Sequence, residues 1–233
     1  MNQIIVITGT SRGIGRKLAE YYLDAGNTVI GCSRGNSKIE EPKYCHYEID
    51  VTDENQVISM IRDVRRKHGR IDALVNNAGI ASMNHVLMTP YEAAKKIIAT
   101  NFLGTFLFAR EVSKIMMKKK YGRIVNFSTV AVPLRLEGEA IYASSKAAIV
   151  FFTEILSKEV AEFGITVNAI GPTPVATDLI KNVPESSIDN LVKRQTIQRF
   201  GKIGDIVNVV DFFINPESGF ITGQVIYLGG VLD

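Results

Sequence analysis

Short runs of β-branched and apolar residues alternate along this chain with longer amphipathic segments. Because the runs are apolar almost without interruption, we expect both faces of each strand to be buried, as in a parallel sheet. Alternation of such strands with helices predicts an α/β fold built on a doubly wound parallel sheet. The runs predicted as strands are Ile4–Ile7, Thr28–Ile30, Ala73–Val75, Arg123–Phe127, Ile165–Ile170 and Val225–Leu228.

The segments between these strands carry apolar residues at helical spacing. The predicted helices include Arg16–Ala25, Glu54–Lys67, Tyr91–Phe108 and Ser144–Phe163. A chain of 233 residues without a linker or repeat predicts a single domain over residues 1–233. The one long irregular stretch, residues 172–198, follows a strand end, where ligands bind in such sheets, and is therefore predicted to be a substrate lid.

The composition is that of a folded protein and argues against several kinds of partner. Hydrophobic residues make up 46% and charged residues 22% of the chain. With 27 cations and 24 anions, the charge is too even to indicate binding to nucleic acid or a membrane. We found no charged leader and no apolar run of membrane-spanning length, so we expect a cytoplasmic protein.

The cysteines and histidines give no sign of a metal or redox site. Cys32 and Cys45 lie inside apolar segments without a CxxC pair, which is typical of free thiols in a reducing compartment. The three histidines, His46, His68 and His85, are scattered without metal-ligand spacing. We therefore predict no metal.

A glycine-rich turn follows the first predicted strand directly and leads into a helix. It reads Thr8-Gly9-Thr10-Ser11-Arg12-Gly13-Ile14-Gly15. Gly9 can turn the chain sharply, Gly13 lets the backbone approach a pyrophosphate, and Gly15 lets the helix pack close to the sheet. Since a diphosphate would face the positive end of the helix, this turn predicts a dinucleotide site.

The end of the second predicted strand indicates which dinucleotide is bound. NAD enzymes place a carboxylate there for the ribose 2′-hydroxyl, whereas NADP enzymes offer cations to the 2′-phosphate. The sequence Gly31-Cys32-Ser33-Arg34 contains no carboxylate, and Arg34 supplies a permanently charged fork suited to phosphate. We therefore predict NADP(H) in preference to NAD(H).

A phenol and an ammonium group, those of Tyr142 and Lys146, lie four residues apart at the start of a predicted helix. Residues at this spacing share a helical face. Reduction of a carbonyl needs a proton for the oxygen, and a free tyrosine titrates near pH ~10. We expect the lysine cation to favour the phenolate and so ease proton transfer.

Together, Thr-Gly-x-x-x-Gly-x-Gly and Tyr-x-x-x-Lys resemble the short-chain dehydrogenase/reductase family, with overall similarity closest to its 3-oxoacyl-[acyl-carrier-protein] reductase branch. The resemblance extends over nearly the whole chain and includes Asn76-Asn77-Ala78-Gly79. It implies a Rossmann-type sheet of about seven strands in the order 3-2-1-4-5-6-7. It also implies a homotetramer, with a dimer as the alternative, paired through the fourth and fifth helices and the last strand.

The resemblance assigns cofactor contacts by position. It places Arg12 beside the 2′-phosphate and Asp50-Val51 at the adenine, and it places the segment after the sixth strand at the nicotinamide. In that segment Thr173 stands where the family has glycine. The implied cofactor-binding residues are Gly9, Ser11, Arg12, Gly13, Ile14, Gly15, Ser33, Arg34, Asp50, Val51, Asn77, Ala78, Gly79, Tyr142, Lys146, Pro172, Thr173, Val175 and Thr177.

The resemblance also assigns catalytic roles. Tyr142 protonates the substrate oxygen, while Lys146 supports the phenolate and binds the ribose. A family serine that binds the substrate lies thirteen residues before the tyrosine, where this chain has Thr129, with Ser128 as the fallback. The main-chain carbonyl of Asn101 matches a position that holds a relay water. The implied reaction is hydride transfer between NADP(H) and a carbonyl or alcohol carbon of a small molecule.

Three functions remain open from the sequence. A 3-oxoacyl-[acyl-carrier-protein] reductase is the first, although Phe163 stands where that branch has a carrier-docking cation, and Lys120 fits the other such position. A reductase or dehydrogenase of a sugar, polyol or other small ketone is the second. The third is a regulator that binds the cofactor without turnover.

Overall fold

The structure is a computed structural model that describes residues 2–175 and 185–231. Its described strands form one seven-stranded sheet in the order β3-β2-β1-β4-β5-β6-β7, with every neighbouring pair parallel. The predicted sheet and strand order are therefore confirmed. The strands are β1 (Ile4–Thr8), β2 (Thr28–Ser33), β3 (Tyr44–Glu48), β4 (Ala73–Asn76), β5 (Gly122–Phe127), β6 (Ile165–Gly171) and β7 (Val225–Tyr227).

Helices cover both faces of the sheet. Helices α2, α4 and α6 pack on one face, and α1 and α8 pack on the other, each face with its own buried apolar cluster. Strands that are apolar almost without interruption must be covered by helices on both faces of the sheet. The α-helices are α1 (Gly13–Asp24), α2 (Glu54–His68), α3 (Tyr91–Ile98), α4 (Gly104–Lys119), α5 (Ala131–Leu134), α6 (Ala140–Val160), α7 (Glu185–Lys193) and α8 (Ile203–Ile214).

Strand β2 is longer than its apolar run predicted. It continues through Cys32 and Ser33, because these residues pair with Tyr47 and Glu48 of β3. Pairing with a neighbouring strand is a tertiary event, and the local pattern of apolar residues does not record it. As a result, Ser33 ends the strand and Arg34 is the first residue beyond it.

The helix predicted over Tyr91–Phe108 is not one regular helix. The α-helical turns of α3 give way to a π-helical turn at Ala99–Leu103, after which α4 begins. Single π turns are uncommon and occur often at functional sites. The continuous prediction was wrong here because apolar spacing does not distinguish a π turn from an α turn.

Helix α6 also departs from prediction, beginning at Ala140 rather than Ser144. Contrary to our reading of the sequence, Ala140–Phe163 is long and apolar enough, with a mean hydropathy of 1.2, to meet the length and composition of a membrane span. One face of this helix packs on β6, however, and it buries polar side chains such as Ser145, Lys146 and Thr153. In this fold the helix therefore packs against the sheet as part of the core.

Candidate active site

Two adjoining cavities lie where the carboxyl ends of the central strands meet. The smaller, about 420 Å³, is lined by the glycine-rich turn and the ends of β2 and β4. The larger, about 570 Å³, is lined by the end of β5, the start of α6 and the segment after β6. Both share Asn77, Gly79 and Ile80, so a ligand can extend from one into the other. This edge is where open α/β sheets bind ligands.

The glycine-rich turn has the geometry that a diphosphate needs. Gly9 and Gly13 adopt positive φ angles of 78° and 61°. A Cβ on Gly15 would come within 2.3 Å of the Gly9 carbonyl oxygen, so glycine is required for the helix to approach the strand. Arg12 precedes α1 and makes no side-chain cap. The first amides of α1 are therefore available to an anion, and the turn fits a dinucleotide.

A histidine that sequence analysis set aside supports the end of β2. Nε2 of His46 lies 3.1 Å from the Ser33 hydroxyl and 3.0 Å from the Gly35 carbonyl oxygen. Its Nδ1 lies 2.9 Å from the Tyr44 hydroxyl. His46 thus braces the turn on both sides of exposed Arg34. The sequence alone does not reveal this role of His46, because the role depends on the pairing of β3 with β2.

Asp50 and Val51, predicted to meet the adenine, line the smaller cavity. The Thr52 amide and hydroxyl donate to Asp50 Oδ1 over 2.9 and 2.8 Å. Burial works to raise the pKa of Asp50, but these hydrogen bonds and the charges of Arg34 and Lys96 outweigh it and lower that pKa. Asp50 is therefore an anion that helps to orient this rim of the cavity.

The asparagines after β4 hold the cavity floor together. Asn77 Nδ2 donates to the Thr8 carbonyl over 2.8 Å, and the Thr8 hydroxyl accepts from the Ala78 amide over 2.9 Å. In the core, Asn76 donates to Asn126 over 2.9 Å. These bonds tie β4 to β1 and β5, so the backbone of Ala78 and Gly79 forms a fixed wall of the cavity.

Tyr142 lies in the first turn of α6, and its side chain is buried against the larger cavity. Burial, and then the charge of Glu139, raise the pKa of Tyr142 to about 12, and a hydrogen bond with Thr129 opposes them. Burial is the largest of these influences, so the phenol is held in its protonated form. The expected support of the phenolate by Lys146 stays a prediction.

Lys146 lies one helical turn beyond Tyr142 and is also buried. Its Nζ donates to the Phe127 carbonyl oxygen over 2.7 Å, and a Cβ added to Gly79 would lie 3.4 Å from it. Burial lowers the pKa of Lys146 to about 8. The ammonium therefore lies at the junction of the two cavities, where its hydrogen bond to the Phe127 carbonyl holds it in place.

The two hydroxyls after β5 point to different partners. Ser128 is buried, and its hydroxyl donates to the Lys146 carbonyl over 3.3 Å. The Thr129 hydroxyl acts on the Tyr142 phenol, whose pKa it lowers against the effect of burial, and it accepts from the Ala131 amide over 3.3 Å. Thr129 therefore faces the phenol, which favours it over Ser128 for contact with a substrate oxygen.

Asn101 is fully buried in the π turn and is fully bonded. Its Oδ1 accepts from the Ile80 amide over 2.8 Å, and its Nδ2 donates over 3.0 Å to both the Ile80 carbonyl and the Ser145 hydroxyl. The main-chain carbonyl, expected to hold a water, accepts from the Thr105 hydroxyl over 2.8 Å. In this structure Asn101 joins the cavity wall at Ile80 to α6.

Thr173 occupies the position where the family has glycine without backbone strain. Among the residues that the structure describes, Lys120 and Arg135 alone combine a side chain larger than glycine's with positive φ. The Thr173 hydroxyl donates to Gln195 Oε1 over 2.5 Å, which ties this segment to the end of α7. Pro172, Thr173 and Val175 line the larger cavity. Thr177, also predicted there, lies outside the described residues.

Glu139 is a second residue that sequence analysis missed. It immediately precedes α6, makes no side-chain cap for that helix, and lines the larger cavity beside Tyr142. Burial raises the pKa of its carboxyl group. The only signal in the sequence is its place one turn before Tyr142, which on a helix puts both side chains on one side.

Comparison with known proteins agrees with this geometry. Residues 3–188 match the family model described as short chain dehydrogenase. The 3-oxoacyl-[acyl-carrier-protein] reductase FabG of Escherichia coli is 33% identical, covering 98% of this chain and 96% of that protein.

Solved structures give the same result. The structure described as ElxO with NADP bound has a TM-score of 0.91 at 31% identity, covering 99% of this chain and 98% of that one. Ligand-free aldohexose dehydrogenase of Thermoplasma acidophilum has a TM-score of 0.90 at 30% identity, covering 99% of this chain and 94% of that one. This chain is thus similar over nearly its full length to enzymes with different substrates.

Proposed function

From the premise that this chain belongs to the short-chain dehydrogenase/reductase family and is an NAD(P)-dependent oxidoreductase, we propose that it reduces a small carbonyl compound with NADPH, or runs the reverse reaction. One observation carries the proposal: the Tyr142 phenol, the Thr129 hydroxyl and the Lys146 ammonium converge on one cavity. That cavity opens into the one lined by the glycine-rich turn.

The smaller cavity would hold the adenine end of the cofactor and its diphosphate. The amides at the start of α1 would bind the diphosphate, and Arg12 and Arg34 would bind a 2′-phosphate. When bound, the cofactor supplies or accepts a hydride at its nicotinamide ring. Pro172, Thr173 and Val175 would contact that ring's carboxamide. The lid predicted over residues 172–198 stays a prediction, and its residues 176–184 lie outside the described residues.

The chain's own part in the reaction is to hold and move a proton. In reduction, Thr129 orients the substrate oxygen and Tyr142 gives it a proton as negative charge develops there. A phenol with a pKa of about 12 stays protonated at neutral pH, so it is ready to act as an acid. Lys146, held by the Phe127 carbonyl, then stabilises the phenolate that remains.

Replacement of Tyr142 by phenylalanine tests this proton path. We expect Tyr142→Phe to lower kcat for NADPH oxidation with a ketone by at least about 100-fold, the usual contribution of a positioned acid. Its NADPH affinity should be nearly unchanged. Tyr91→Phe is the control, because Tyr91 is exposed at 75% and lies outside both cavities. Wild-type turnover in Tyr142→Phe would rule out this path.

The preference for NADP(H) rests on Arg34 at the end of β2. Reversing its charge removes a phosphate contact and repels the 2′-phosphate, so Arg34→Asp should weaken NADPH at least about tenfold more than NADH. Titration of both cofactors by fluorescence measures this difference. Lys38→Asp, an equal charge change on an exposed neighbour, is the control. An unchanged ratio of NADPH to NADH affinity in Arg34→Asp would contradict the preference.

Two alternatives to a fatty-acid substrate can be tested by experiment: a sugar or polyol substrate, and a regulatory role without turnover. The chain's similarity to a 3-oxoacyl-[acyl-carrier-protein] reductase supports one substrate class, and its similarity to an aldohexose dehydrogenase supports a sugar or polyol. A regulator that binds NADPH without turnover would show affinity but no ketone-dependent loss of absorbance. A substrate panel with both cofactors separates these three.

A further inference from the structure

We propose that Glu139 selects substrates that carry a hydroxyl group next to the reacting carbonyl, as polyhydroxy and hydroxyketone compounds do. This inference rests on the proposed reductase function and deepens it by naming a substrate class. It assigns the residue a positioning role in specificity, distinct from the proton transfer of Tyr142.

The first support is where the carboxyl group lies. Glu139 is the residue just before α6, and such a position favours side chains that accept hydrogen bonds from the first amides of the helix. Its carboxylate makes no such bond. It lines the larger cavity instead, together with Thr129 and Tyr142, the two groups proposed to hold the substrate oxygen.

The second support is that this carboxyl group is half-buried with nothing to donate to it. Within the described ranges, no side chain or amide donates a hydrogen bond to it, and burial alone raises its pKa. A carboxylate kept from water without a donor costs free energy. A ligand that brings a donor into the cavity recovers that cost on binding.

The surrounding charges leave this acceptor unneutralised. The other charged side chains that line the cavity are Lys146 on α6, Arg135 and Glu137 on the preceding turn, and Arg194 after α7. Lys146 donates to the Phe127 carbonyl, and Arg194 donates to the Leu134 carbonyl over 2.7 Å. Glu139 does exert its charge on Tyr142, whose pKa it helps to raise. The carboxylate and the phenol are therefore close enough to contact one substrate.

These observations favour a hydroxyl donor over the second carbonyl of a 3-oxoacyl thioester. That carbonyl is an acceptor, and facing it toward a carboxylate pairs two acceptors. A hydroxyl beside the reacting carbon donates to Glu139 while the carbonyl oxygen accepts from Tyr142 and Thr129. Hydrogen bonds to charged groups contribute about 1.5–3 kcal/mol, so discrimination of roughly 10- to 100-fold is expected.

The test compares kcat/KM with NADPH for hydroxyacetone, methoxyacetone, 2-butanone and an acetoacetyl thioester. The first offers a donor beside the carbonyl, and the next two have similar size without one. Wild type should prefer hydroxyacetone over methoxyacetone by about tenfold or more. Glu139→Leu should remove this preference, and Glu139→Gln should reduce it. Glu159→Gln, which alters an exposed carboxylate of α6 outside both cavities, should leave it intact.

Folding and NADPH binding of each variant are checked by circular dichroism and fluorescence titration, so a loss of preference is not mistaken for misfolding. Preference that persists in a folded Glu139→Leu would overturn the inference but leave the reductase function standing. So would wild type that reduces the thioester and none of the three ketones. Absence of turnover with all four substrates, despite NADPH binding, would count against both proposals.

A second readout separates selection by charge from a merely structural role. Since the Glu139 carboxylate raises the pKa of Tyr142, Glu139→Gln should move the rising limb of the pH profile for alcohol oxidation to lower pH. Glu159→Gln should leave that limb in place. An unmoved limb in Glu139→Gln would contradict the proposed proximity of Glu139 to the phenol.

Discussion

Lys146 lies in a buried position, where its positive charge raises the free energy of the folded state. Its ammonium is buried, and the one hydrogen-bond partner described for its Nζ is the Phe127 carbonyl oxygen. Burial lowers the pKa from 10.5 to about 8, which is equivalent to about 3 kcal/mol. A lysine with a purely structural role would add no stability to the fold from this position. Placement of a buried cation beside a buried phenol is what a proton-transferring site requires.

The stability of a Lys146→Met variant tests this cost. Below pH 8 the folded state must keep a buried cation, so we expect the variant to be more stable than wild type by about 2 kcal/mol, after about 1 kcal/mol is lost with the Phe127 hydrogen bond. Because the unfolded chain binds the proton more tightly than the folded one, wild-type stability rises with pH between about 8 and 10.5.

The advantage of Lys146→Met should therefore shrink over that pH window, while turnover is lost at every pH. Urea denaturation at pH 7 and pH 10 measures the difference in free energy of unfolding between the variant and wild type. Lys158→Met, on the exposed side of α6, is the control. An equal stability difference at both pH values would show that Lys146 is not held against its charge.

At the scale of elements, the π turn between α3 and α4 joins the cavity wall to α6. Asn101 in this turn satisfies both backbone groups of Ile80 and contacts Ser145, three residues after Tyr142. The turn thereby fixes the loop after β4 relative to the helix that carries the phenol. A regular α-helix through the same residues would rotate this side chain away.

Replacement of Asn101 by leucine should cost more stability than an ordinary surface change. It removes the hydrogen bonds to the half-buried amide and carbonyl of Ile80, which amounts to roughly 1–3 kcal/mol for two groups. We also expect kcat to fall more than NADPH affinity, since the wall beside Lys146 moves. Thermal unfolding and steady-state kinetics measure both effects. Asn55→Leu, the same change at an exposed position of α2 outside both cavities, is the control, and equal losses in the two variants would contradict this role.

Support of the turn after β2 also depends on neighbouring elements rather than on a single motif. Arg34 was predicted from its place after a strand, but the residues that hold its turn come from β3, through His46 and Tyr44. The sequence of β3 carries no cofactor motif. Its contribution follows from parallel pairing with β2, which brings His46 opposite Gly31, next to the glycine-rich turn.

For the whole molecule, the outer face of α6 carries exposed apolar side chains near the site. Phe151 and Ile155, one turn apart, are exposed at 65% and 40%, and Leu103 of the adjoining π turn is exposed at 46%. We propose that this face pairs with a second copy of the chain in a homotetramer, or in a dimer.

A charge placed on this face should separate the copies. Phe151→Glu buries a carboxylate in the proposed contact, so light scattering after gel filtration should give a smaller mass than that of wild type. Leu87→Glu, which places the same charge at an exposed position outside α6, should leave the mass unchanged. A monomeric wild type, or an unchanged mass in a folded Phe151→Glu, would contradict pairing through α6.

The apolar runs of the sequence predicted six strands of a parallel sheet but not β3, and the family resemblance supplied the seven-stranded order and most of the residues proposed to carry the chemistry. Strand periodicity, the glycine turn and the spacing of Tyr142 and Lys146 are local patterns, and local patterns are written along the chain. The tertiary structure decided what surrounds them. The rise in the Tyr142 pKa, the different partners of Thr129 and Ser128, and the places of His46 and Glu139 depend on burial and on contacts between distant segments, which no single stretch of sequence contains.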